Sequence, residues 1–119
     1  MSYEEWRPRI IDAARHIASR DYQKEEWFPG GRGVSSPDEV YQLLIEDLTF
    51  DLFLQTHSHK LDIRQLQVAN ELRSILQEYY DNSPEHPDPK FVLDDPQWDL
   101  VRQAADRFVA AFSGGAGPP

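Results

Sequence analysis

Apolar residues along this chain recur at helical spacing, and the last stretch shows it most cleanly. Trp98, Val101, Ala105, Phe108 and Phe112 follow one another at alternating steps of three and four, which puts them on one face of an amphipathic helix. Asp95-Pro96 opens that helix: proline suits the first helical position, and an aspartate before it can accept from free backbone N–H groups. Ser113-Gly114-Gly115 closes it. A second helix carries Leu66, Ala69, Leu72, Leu76 and Tyr79 on one face, widened by Val68 and Ile75. Asp62 and Gln65 stand at capping-box spacing at its start. Near the N-terminus Ile10, Ala13, Ala14 and Ile17 repeat the pattern, with Trp6 extending it. Ser2 and Glu5 also have capping-box spacing. Pro8 argues for a later start, near Trp6 or Arg7, because a proline beyond the first turn removes a backbone hydrogen bond. Residues 20–27 either continue this helix with a bend or form a short one of their own.

The most apolar run is 36–55, SPDEVYQLLIEDLTFDLFLQ. Ser36 is a capping residue, Pro37 fits the first helical position, and Asp38 and Glu39 suit the positive end of the helix dipole. With no Gly or Pro inside, one helix over 37–55 is expected, and it is expected to be the central one. At about 100° per residue it shows two apolar stripes. Tyr41, Leu44, Ile45, Leu48 and Leu52 form the broad one, and Leu43, Phe50 and Leu54 form a narrower one opposite. A second stripe is either covered by the rest of the chain or left to meet a partner.

The connections are legible too. Residues 27–33 (WFPGGRG) must form a loop, with Trp27 and Phe28 tucked beneath it or, with Arg32, carried on a binding arm. Residues 81–89 (DNSPEHPDP) make a surface connection, after which Phe91, Val92 and Leu93 are expected to return to the core as an extended segment. There is no internal repeat and no hairpin signal. The expected fold is all-α: an irregular four-helix bundle with helices at about 6–19 (extended to 27), 37–55, 63–80 and 96–112, joined by long ordered loops. Residues 1–113 are expected to form a single helical domain and 114–119 a disordered tail.

Composition narrows the function classes. The chain has 119 residues, no cysteine and a net charge of −9 from 21 acids against 12 bases. A chain of this length can bury a core without disulfides or metals. The lack of cysteine, of a secretory signal and of any run near the roughly 20 apolar residues of a membrane span points to a cytoplasmic protein. The negative charge argues against nucleic acid and anionic membrane as partners and favours a basic protein. It is also uneven: no Lys or Arg occurs between Arg32 and Lys60, where Asp38, Glu39, Glu46, Asp47 and Asp51 all lie.

Catalytic signatures are missing. Gly30-Gly31-Arg32-Gly33 lacks the Lys-Ser/Thr of a phosphate loop, and no Gly-x-Ser-x-Gly elbow is present. His57 and His59 with Asp51 are the nearest approach to a metal set, without the spacing of di-metal bundles or zinc proteases. No catalytic residue, metal or cofactor is expected. The expected function is non-enzymatic: a small acidic protein that binds a basic protein partner, by analogy with immunity proteins and antitoxins that inhibit toxic nucleases. The candidate contact residues are Glu39, Leu43, Glu46, Asp47, Phe50 and Leu54, with Trp27, Phe28 and Arg32 on the loop arm. The alternatives are a self-associating helical domain, with monomer and homodimer both open, and a metal-dependent hydrolase.

Overall fold

A computed structural model describes residues 2–28 and 35–113. The expectations for Arg32 and for the tail 114–119 fall outside those residues. The fold is all-α, with no strand among the described residues. Helix α1 (Tyr3–Ala18) is followed by α2 (Arg20–Glu26) and α3 (Pro37–Tyr41). Helix α3 runs into a π-helical turn (Gln42–Asp47), and α4 (Phe50–His57) ends in a 3-10 turn (Ser58–Lys60). Then come α5 (Ile63–Asp81), α6 (Pro89–Asp94) and α7 (Pro96–Ser113).

The local start signals act as their chemistry requires. Ser2 and Glu5 form both bonds of a capping box, so α1 starts at Tyr3, ahead of the expected Trp6 or Arg7. Pro8 lies inside that helix on an exposed position, where it forgoes one backbone bond. Ser19 accepts from the Tyr22 backbone N–H at 3.0 Å, so residues 20–26 form a separate helix. Asp62 and Gln65 form the capping box of α5. The segment holding Phe91, Val92 and Leu93 is helical and not extended: Asp88 caps it and Pro89 takes its first turn, the same device as Ser36-Pro37.

The central helix is α7, not the run 37–55. Helix α7 packs along both α1 and α5, and Trp98, Val101, Ala105, Phe108 and Phe112 are all fully buried. Its last carbonyls are taken by its neighbours: Gln65 Nε2 donates to the Ala111 carbonyl at 3.3 Å, and the Arg7 guanidinium donates to the Phe112 carbonyl. Those carbonyls have no partner within the helix, so side chains from α1 and α5 complete it. At the other end, Gln23 joins α2 to α7. Its side-chain oxygen accepts from Trp98 Nε1 and Arg102 Nη1, each at 3.0 Å. Its amide donates to the His16 and Ile17 carbonyls at 3.0 and 2.8 Å. Every polar position of this buried side chain is used.

The expected fourth long helix is broken into pieces. Over Gln42–Asp47 the turn widens, and Leu48 N–H reaches back five residues to the Leu43 carbonyl at 2.9 Å. The chain then stops being helical at Thr49, whose φ is 46°. Trp6 Nε1 donates to the Leu48 carbonyl at 2.6 Å, satisfying an acceptor that the break leaves without a helical donor. Both changes reset the helical phase, so a single wheel over 37–55 misassigns the second half. Phe50 and Leu54, expected on a separate stripe, are buried together with Phe53, while Leu52, expected in the core, is 51% exposed. Within α4 the inward positions 50, 53, 54 and 57 are a fresh helical repeat.

Thr49 is a β-branched residue in the left-handed region, where its side chain crowds the backbone at a cost of about 1–2 kcal/mol. Thr49→Gly removes that crowding and restores some unfolded-chain entropy, for an expected net gain of about 0.5–1 kcal/mol. Urea denaturation checks this; a less stable variant would contradict it.

Candidate functional site

Two of the backbone features with unusual geometry, the π-helical turn and the left-handed residue His86, meet at one place. The π-helical turn presents Gln42 and Glu46 to an open cleft, and the connection after α5 presents Ser83, Pro84, Glu85 and His86, with His86 at φ 56°. Asp38, Tyr41 and Tyr80 complete the lining of a cleft of about 420 Å³. π turns recur at functional sites because they displace side chains from the regular helical path.

Its walls are held by tyrosines. The Tyr41 and Tyr80 rings lie 4.3 Å apart between centroids. Tyr41 Oη donates to Gln77 Oε1 at 3.0 Å, and Tyr80 Oη donates to the Pro37 carbonyl. Burial, and then the nearby Asp38 charge, push the Tyr80 hydroxyl above its ordinary range, so it remains a donor. These contacts fix α3 against the end of α5.

The cleft is acidic. Asp38, Glu46 and Glu85 line it, and no described Lys or Arg does. The basic side chain in its lining is His86, a cation when protonated, whose Nδ1 lies 2.7 Å from Asp38 Oδ2 and whose Nε2 lies 3.9 Å from Glu85 Oε1. The hydrogen bond and charge of Asp38, then the charge of Glu85, hold the imidazole above the 6.5 of a free histidine. Stabilisation from the charged His86–Asp38 pair is therefore fully present below the ordinary histidine value and is lost as pH rises through the raised one. His86 is expected to titrate above an exposed histidine by NMR, and to fall back in Asp38→Asn. An unchanged titration in that variant would show that Asp38 is not its partner.

The residues expected from sequence divide sharply. Glu46 lines the cleft, while Glu39 and Asp47 are exposed on the same segment. Phe50, Leu54 and Trp27 are buried core residues, and Leu43 and Phe28 are partly buried against that core. Of the two readings of the Leu43, Phe50 and Leu54 stripe, cover by the chain holds for most of it, because the break at Thr49 turns α4 inward, and Phe50 and Leu54 are corrected as partner contacts. Asp38, Tyr41, Tyr80, Glu85 and His86 are additional. Asp38 is accounted for in sequence as a helix-start charge, and Glu85 and His86 sit in a proline-rich connection with no marker of where it lies.

The His57, His59 and Asp51 trio does not assemble. The His57 ring packs among Tyr3, Trp6 and Phe53, with centroids 5.3, 5.6 and 5.6 Å away. Asp51 turns to Arg73 at 3.3 Å. Among the described residues no group of three or more His, Asp or Glu side chains could hold a metal ion. Nor is any described helix long and apolar enough to cross a membrane. No protein-family model, curated protein or solved structure matches this chain.

Proposed function

We propose that this chain is a non-catalytic binding domain whose acidic cleft receives a basic protein, in the way small acidic inhibitors engage basic toxins or nucleases. One observation carries it: Asp38, Glu46 and Glu85, drawn from α3, the π turn and the 82–88 connection, line a single cleft free of described Lys and Arg. Glu39 and Asp47 are exposed on the same acidic segment. Like charges held together raise the local potential, which attracts a cationic partner and repels phosphate. The Asp38 charge is offset while the His86 imidazole is protonated, so the cleft becomes more negative above that titration.

The test is to capture the partner from native lysate, purify it, and titrate it at low and high salt. Glu46→Lys/Asp47→Lys is expected to weaken binding by about tenfold or more and to flatten its salt dependence. Equal affinity and an equal salt slope for the two proteins would remove the acidic cleft as the binding surface.

A further inference from the structure

Beside the acidic cleft lies a second depression of about 280 Å³, and Ser83 and Pro84 line both. Ile75, Tyr79 and Val101 line its apolar part, and Phe91 projects beside it, 64% exposed. Helix α6 buries Val92 and Leu93 and leaves this one phenylalanine in solvent. The pocket is braced: Tyr79 Oη donates to Asp95 Oδ2 at 2.8 Å, and Ser83 Oγ donates to the Tyr79 carbonyl at 2.6 Å. Its volume falls just under the roughly 300 Å³ at which small-molecule sites begin. It is the size for one large apolar side chain.

We propose that the pocket and the cleft form one docking groove for an extended peptide segment of a partner, with a large apolar residue seated against Phe91 and Tyr79 and adjacent Lys or Arg residues lying on the cleft. This deepens the function proposed above and rests on it. Charge complementarity selects the occupant. Glu78 and Asp95 line the pocket, and Asp38, Glu46 and Glu85 line the cleft. A wholly apolar segment would cover Glu78 and Glu46 without supplying a donor to either, and an acidic one would be repelled. A basic segment with one apolar anchor satisfies both halves. The anchor supplies burial and the cations supply steering and register.

The probe is a random-sequence peptide library displayed on phage and panned against the full chain. Enriched peptides are then synthesised and titrated against the wild type and variants. They are expected to share an aromatic or leucine residue next to Lys or Arg. Phe91→Ser, at an exposed position, should weaken them by about tenfold or more. Gln97→Trp, which fills the pocket from its exposed rim, should do the same without removing an apolar group. Glu46→Lys/Glu85→Lys should weaken them and reduce their salt dependence. Peptides that need the cleft carboxylates but tolerate both Phe91→Ser and Gln97→Trp would overturn the groove and leave the acidic cleft standing. Peptides indifferent to the charge reversal, or no enrichment at all, would overturn the groove and the acidic cleft together.

Discussion

Replacing Gln23 with Ala is expected to cost on the order of 3–5 kcal/mol, among the largest losses for a single polar side chain in this fold. The substitution strips the partner from the Trp98 indole N–H and from one Arg102 nitrogen, both buried, and from the His16 and Ile17 carbonyls. Arg102 keeps its bonds to Asp99 and to the Leu93 carbonyl, yet a buried guanidinium short of an acceptor is costly. Gln23→Met preserves most of the volume and so separates the polar part from the cavity; it should still cost more than about 2 kcal/mol. Urea denaturation measures both. A loss below about 1 kcal/mol for Gln23→Ala would mean that the network is dispensable. The consequence reaches the candidate site, because Trp98 also packs on Tyr79 and Tyr80, with centroids 5.1 and 6.2 Å away. Those two tyrosines brace the pocket and the cleft.

Phe53→Ala is expected to cost about 3–5 kcal/mol, whereas Leu52→Ala, one residue earlier, should change stability by no more than about 0.5 kcal/mol. Phe53 is fully buried and meets Tyr3, Trp6 and His57, while Leu52 is half exposed. A continuous helix over 37–55 predicts the reverse for Leu52, since it shares a face with Leu44 and Leu48. Equilibrium unfolding of the two variants therefore tests the break at Thr49 directly. A larger loss for Leu52→Ala than for Phe53→Ala would mean the helix runs straight through.

The comparison of positions 52 and 53 shows where sequence patterning stops being informative. Helical period is a local property, and it holds as long as the backbone stays regular. The faces of α1, α5 and α7 are legible for that reason, and each is a long run. The segment 42–49 contains neither Gly nor Pro, so nothing in its composition announces a widened turn or a left-handed residue. The long-range bond from Trp6 to the Leu48 carbonyl is visible only in three dimensions. Once the phase is lost, the apolar stripe drawn from Leu43, Phe50 and Leu54 ceases to describe one face, and with it goes the most apolar of the expected contact surfaces.

The acidic half of the candidate site was partly legible. A stretch without Lys or Arg holding Glu39, Glu46 and Asp47 is plain in the sequence, and the residues stay at the surface because unpaired carboxylates are costly to bury. Glu85, His86 and Phe91 were not legible as site residues. Their positions depend on how the 82–88 connection lies against α3, through the His86–Asp38 pair.

By itself, then, the amino-acid order determined the all-α class, the capped starts of α3, α5 and α7, the inward faces of the three long helices and the acidic net charge. These follow from hydrogen bonds and periodicities that span three or four residues. Only the tertiary structure decided that α7 is central, that the run 37–55 breaks and turns Phe53 inward, and that an acidic cleft and an apolar pocket share a wall at Ser83 and Pro84. Those outcomes rest on contacts between residues dozens of positions apart, and no local pattern encodes which distant groups will meet.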